Sequence, residues 1–178
     1  MVVQARERIL VDAARAGDLD AFETLVRRHQ GAVYRLALRM LGSEADAEDV
    51  AQETFVQAWR SLARFRGQSA FGTWLFRIAT NRCLNVVAAR RVTVTLEEHH
   101  IAVGADPNET AQRQARLQAL IAAMLELPAE QRAALVLREL EGLSYEEIAN
   151  VLDISLSAVK GRIHRARLAL IARLGGGQ

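Results

Sequence analysis

The sequence predicts an all-α protein, built as two small helical domains joined by a flexible linker, with a helix-turn-helix in the second. Three observations carry this. Apolar residues recur every three or four positions through most of the chain, which is the helical period rather than the two-residue period of a strand. Helix starts are marked by capping residues at Ser43 and Ser144. The period is lost in one block, Val92 to Gln112, which holds Gly104 and an Asp106-Pro107 turn signal. The expected division is 1–91, a linker over 92–112, and 113–174, with a frayed tail at Gly175 to Gln178.

In chain order, Gln4 to Ala16 and Leu19 to Leu41 read as helices separated at Gly17-Asp18, the second ending at Gly42-Ser43. Ser43 opens a third helix, expected to run to about Phe65. Its acidic start at Glu44, Asp46, Glu48 and Asp49 suits the positive end of a helix dipole. Ala47, Val50, Ala51, Phe55, Ala58 and Leu62 form its buried stripe, so Asp49, Gln52, Glu53, Gln57 and Arg60 lie on other faces. A loop at Arg66 to Ser69 precedes a fourth helix, Ala70 to Arg90. Helical spacing resumes at Arg113, stops at Leu127-Pro128, and continues through Leu135, Val136 and Leu140.

The last pair of helices starts at Ser144, whose Glu147 three positions on completes a capping box worth about 1 kcal/mol. Ile148, Ala149 and Leu152 form the inner stripe of the first helix. The turn falls at Asp153-Ile154-Ser155, with Asp153 where a helix-turn-helix usually has a left-handed glycine. Asp tolerates that conformation better than most residues. Ser155 caps the second helix, whose Leu156, Val159 and Ile163 face inward while Lys160, Arg162, His164, Arg165 and Arg167 point elsewhere. No acidic residue follows Ala158. Ordinary surfaces mix signs, whereas a helix in the major groove meets phosphates and base edges, so the bias favours DNA over a merely solvated or dimer-forming hairpin.

Charge distribution also separates the first domain from an ordinary one. The 178 residues are 51% apolar and 25% charged, with a net charge of only +2 that by itself says little about partners. Yet between Glu53 and Glu97 there is no Asp or Glu, while seven arginines, from Arg60 to Arg91, fall within that stretch. Trp59, Phe65, Phe71, Trp74 and Phe76 are interleaved with them. Guanidinium groups beside ring faces are what unstacked single-stranded bases need. Helical spacing assigns Phe55, Trp59 and Trp74 to packing first, and leaves Phe65, Phe71 and the loop from Arg66 to Ala70 as the better base-contact positions. Asn81 could bond a base edge or a neighbour.

Other chemistries find less support. The single cysteine, Cys83, excludes an internal disulfide and lacks metal-knuckle spacing, and a reducing cytoplasm is the expected compartment. No signal-peptide run and no membrane-length apolar segment are present, so no membrane insertion is expected. Neither Asp49, Gln52 and Glu53 on one helix face nor the adjacent His99 and His100 supplies a metal shell. No catalytic residue, metal or cofactor is expected.

DAEDVAQETFVQAW (46–59), FRGQSAFGTWLFRIATNRCLN (65–85) and LPAEQRAALVLRELEGLSYEEIANVLDISLSAVKGRIHRARLAL (127–170) resemble, in order and spacing, regions 2 and 4 of the extracytoplasmic-function (ECF) sigma factors of bacterial RNA polymerase. The resemblance implies a non-enzymatic transcription initiation factor with three partners: core polymerase (beta-prime clamp helices and beta flap), promoter DNA and an anti-sigma factor. It implies polymerase docking through Asp46, Asp49, Gln52 and Glu53. It places minus-10 strand recognition on Arg64, Phe65, Arg66, Ser69, Ala70, Phe71, Trp74, Arg77 and Asn81, with Gln68 where many members carry an acid. It places minus-35 duplex recognition on Ser155, Ser157, Lys160, Gly161, Arg162, His164, Arg165 and Arg167. Alternatives of other classes are a conventional helix-turn-helix regulator that binds a duplex operator alone, usually as a dimer, and a metal-dependent nucleic-acid-processing enzyme using the Glu44 to Glu53 carboxylates.

Overall fold

The structure, a computed structural model, describes residues 2–93 and 109–175. These form eight α-helices and one short 3₁₀ turn, with no strand among the described residues. Helices α1 (Val2–Arg15), α2 (Leu19–Leu41), α3 (Glu44–Ser61) and α4 (Phe71–Thr93) make the first half. Helices α5 (Glu109–Leu125), α6 (Ala129–Glu139), α7 (Tyr145–Leu152) and α8 (Leu156–Gly175) make the second.

Local chemistry sets most boundaries. Asp18 caps α2 by accepting from the amides of Asp20 and Ala21, and Gly42 ends it at φ 68, where a side chain would cost strain. Ser43 caps α3 through the Asp46 amide. The third helix stops at Ser61 rather than Phe65, because Leu62–Arg64 tightens into the 3₁₀ turn and Phe65 leaves it extended. Pro128 precedes α6 with a fixed φ and no amide to satisfy. Ser144 and Glu147 form the reciprocal capping box of α7. Asp153 then takes the left-handed conformation, φ 53 and ψ 50, the one non-glycine residue with positive φ among those described.

The expected linker is shorter than its sequence suggests. Residues 92 and 93 complete α4 and residues 109–112 start α5, so helical hydrogen bonding extends into both flanks of the aperiodic block. Positions 94–108, including His99 and His100, lie outside the described residues.

The two halves pack on each other, with α2 and α4 of the first against α5, α6 and α7 of the second. The buried residues form one continuous cluster, from Leu25, Leu36, Met40 and Leu75 to Leu137, Ile148, Val151 and Ile163. Burying Leu- and Ile-sized side chains yields about 1.5 to 3 kcal/mol each. Val151, absent from the sequence-derived stripe of α7, is buried because that helix packs on α4 as well as on α8. Arg132, on α6, is only 6% exposed. Its guanidinium donates to the Met40 carbonyl at the end of α2, and to those of Leu125 (2.6 Å) and Leu127 (3.1 Å). Carbonyls left open at two helix C-termini thus gain a charged donor.

Candidate functional site

Between the 3₁₀ turn and α4, Phe65 to Ala70 form a short irregular loop with Gly67 at φ 68. The Ala70 carbonyl accepts from the Trp74 amide (3.1 Å) and starts α4. Beneath the loop, Phe65, Phe71 and Trp74 form an aromatic cluster with centroid separations of 4.9 to 5.9 Å. Phe65 and Phe71 are 8% and 3% exposed. Both rings, expected from the sequence as base-contact positions, are buried here. They form the packed floor of the loop, and Trp74, half-buried, is the ring at its edge. Helical periodicity could not separate these roles because the loop has no helical period.

A cleft of about 570 Å³ lies over this floor, lined among others by Arg64, Arg66, Gln68, Trp74, Arg77 and Asn150. Among the described residues no carboxylate lines it. Five of the seven arginines of the acid-free stretch divide into two groups, and Arg60 is exposed on α3 with no ion pair to a described residue. Arg82 pairs with Glu53, and Arg90 pairs with Asp46 while also donating to the Leu41 carbonyl (3.0 Å). Arg64, Arg66 and Arg77 are exposed and make no ion pair with any described residue. Three unneutralised guanidinium groups, an indole and an amide are a suitable surface for the phosphates and unstacked bases of a single strand. Ser69, half-buried, donates to the Ala70 carbonyl (3.2 Å), while Asn81 is exposed farther along α4. A second cavity of about 470 Å³ opens on the other side of the loop, against Arg8, Asp12 and Arg15 of α1.

On α3, Asp49, Gln52 and Glu53 are exposed together, as their spacing requires. Asp46 is half-buried and turned toward α4 by Arg90, and Glu53 is shared with Arg82. The free edge of this acidic face is therefore Asp49 and Gln52.

The second half presents α8. Ser155 accepts from the Ala158 amide (3.1 Å), so its hydroxyl caps the helix. Ser157, Lys160, His164 and Arg165 are exposed, Arg162 is half-buried, and Val159 and Ile163 are fully inside. The Arg165 guanidinium lies over Gly161, 3.2 Å from where a side chain there would begin, so the glycine leaves space along which Arg165 can swing. Arg167 is bound to Glu139 of α6, and that hydrogen bond and charge raise the pKa of its guanidinium further. It pins α8 to α6. Arg173 ties α8 in the same way to Glu126, just past the end of α5 (2.9 Å).

Cys83, inside the first half, has its thiol pushed up to about 12 by burial, against a smaller opposing pull from Arg132. It stays protonated. Among the described residues no cluster of His, Cys, Asp and Glu could hold a metal, and no helix is long and apolar enough to cross a membrane. Sequence reasoning missed Thr73, Asn150 and Arg132. Each matters through a contact between the halves, which no local pattern encodes.

Residues 25–93 match the sigma-70 region 2 family, and residues 117–170 match sigma-70 region 4. The chain is 38% identical to the RNA polymerase sigma-H factor of Pseudomonas aeruginosa, over 96% of this chain and 94% of that one. It is 40% identical to the ECF RNA polymerase sigma-E factor of Escherichia coli, over 96% and 95%. Among solved structures it resembles CnrH, in complex with the cytosolic domain of CnrY, at a TM-score of 0.75 and 33% identity, covering 97% of this chain and 99% of that one. It also resembles the sigma factor RpoE of Bartonella quintana, in complex with the anti-sigma factor NepR, at a TM-score of 0.72 and 26% identity, over 90% and 100%. With region 2 and region 4 matched in order and relatives matched along nearly their full length, the chain belongs to the ECF sigma factors.

Proposed function

We propose that this sigma factor binds bacterial core RNA polymerase and directs it to promoters by reading two elements in two forms. The minus-35 element is read as duplex by α8, with Lys160, His164 and Arg165 toward the bases, and Ser157 and Arg162 nearer the backbone. The minus-10 element is read as a melted strand by the loop and cleft of Arg64, Arg66, Ser69, Ala70, Trp74, Arg77 and Asn81. Polymerase docks its beta-prime clamp helices on Asp49, Gln52 and Glu53, with Asp46 orienting Arg90 behind them, and its beta flap on the second half. The functional division follows 1–91 and 113–174.

The observation that carries this is the sorting of arginines. Farther along α4, Arg82 and Arg90 are neutralised by Glu53 and Asp46, while Arg64, Arg66 and Arg77 lie around a cleft beside Trp74 that no carboxylate among the described residues lines. An effector or dimerisation domain has no use for such a groove. Catalysis belongs to polymerase, and the chain works in the cytoplasm without a cofactor. An anti-sigma factor restrains it, as NepR binds the Bartonella relative.

Run-off transcription with core polymerase on a pool of promoter fragments tests this. Specific transcripts that require the protein are expected, and their start sites give both elements. A protein that shifts duplex DNA alone, without binding or redirecting polymerase, would establish a repressor instead.

A further inference from the structure

The loop that carries Arg66 is braced from the side away from the reading cleft. Phe71 closes the loop, and the His29 ring of α2 meets Phe71 edge-on, with centroids 5.5 Å apart and planes at 65°. A carboxylate can only accept, so His29 Nε2 donates to Glu7 Oε1 of α1, at 2.7 Å. The two side chains are 19% and 21% exposed, which shields the bond from competing water. Gly72, the second residue of α4, lies against the same ring. A Cβ there would stand 3.2 Å from His29 Cε1 and 3.4 Å from Nδ1. The φ of Gly72 is not positive, so the backbone does not require glycine at this position. What the missing side chain makes room for is the imidazole.

Three helices, α1, α2 and α4, thus converge on one ring. Glu7 and Phe71 line the second cavity, on the other face of the loop from the cleft of Arg64, Trp74 and Arg77. We propose, resting on the minus-10 role given above to that cleft, that His29 is a positioning residue for strand reading. Pinned by Glu7, its ring sets where Phe71 and the start of α4 stand, and through them the loop from Phe65 to Ala70, without touching nucleic acid. An edge-on ring pair favours one placement over others by a factor of roughly three to ten. Strand affinity follows the fraction of loops in the competent placement.

The test uses the full chain. His29→Ala should lower affinity for a fluorescent single strand carrying the minus-10 bases mapped by run-off transcription by about three- to ten-fold, with minus-35 duplex affinity unchanged. Without nucleic acid, it should also speed hydrogen exchange at the Trp74 amide, which donates to the Ala70 carbonyl at the end of the loop. Gly72→Ala favours the helix, yet it should weaken strand binding to a similar extent, because its methyl group meets the pinned ring. Added to His29→Ala, it should cost nothing more. Glu7→Gln keeps an acceptor for Nε2 and should behave as wild type. Additive losses from His29→Ala and Gly72→Ala would overturn the proposal, and so would a parallel fall in duplex affinity, the mark of a general loss of packing. Unchanged Trp74 exchange beside normal strand binding by the wild type overturns the positioning role and leaves the cleft its own. If the wild type binds no strand while the exchange still responds, the minus-10 role of the cleft falls and takes the part of His29 in strand reading with it.

Discussion

The two surfaces proposed to read nucleic acid hold similar charges in opposite shapes. Around Phe65 to Arg77 the guanidinium groups rim a recess floored by packed rings, whereas on α8 the basic side chains stand on a convex helix with nothing beside them. A recess accepts bases that have left the stack; a convex helix fits the width of a major groove. The ion pairs follow the same logic. In each half, arginines that would blur the surface are tied to carboxylates, Arg82 and Arg90 in the first, Arg167 and Arg173 in the second.

The strongest challenge to this contrast is to remove Arg64, Arg66 and Arg77 together by Ala substitution. Single-strand affinity should fall by two orders of magnitude or so. Its salt dependence should lose roughly 0.7 of slope per phosphate contact removed. Minus-35 duplex affinity should not change, and a comparable loss there would merge the two surfaces into one. Arg165→Ala tests the convex side. A guanine read bidentately contributes about 1 to 3 kcal/mol of discrimination, so selection from a randomised minus-35 library should relax at one position while open-complex formation on a melted template keeps its rate.

A smaller effect concerns the buried framework between the surfaces. Because burial raises the Cys83 thiol from 9.0 to about 12, the unfolded chain loses this proton before the folded chain does. Stability should therefore be unaffected below about pH 9 and should decline as pH rises toward 12. Cys83→Ala should flatten that decline in urea denaturation at alkaline pH. The smallest effect is at Arg167→Ala. Its pair with Glu139 is solvent-exposed, so unfolding should shift by less than about 1 kcal/mol, with minus-35 selectivity intact. A loss of selectivity would place Arg167 on the DNA despite its tether.

Legibility in the sequence followed the range of the forces involved. The limits of α2, the capping box at Ser144 and the left-handed Asp153 were all readable because each depends on side chains within a few residues. The acid-free stretches were readable because composition alone defines them. The burial of Phe65 and Phe71 was not readable, because they flank a loop, where burial is decided by α4 folding back rather than by any period. Arg132 resembles a surface arginine on an amphipathic helix. Only the approach of α2 gives its guanidinium a carbonyl to bond and turns it inward.

The segregation of charge has one more consequence. A net charge of +2 gives the molecule almost no long-range pull on DNA or on polymerase. Charge is instead separated along α3, with carboxylates gathered at its start and unpaired arginines around the loop beyond its other end, an arrangement with a local dipole. A dipole exerts torque before it exerts attraction. The protein is turned as it approaches a charged surface, so that its first collisions are already oriented. At high ionic strength this alignment should fade before any contact is lost.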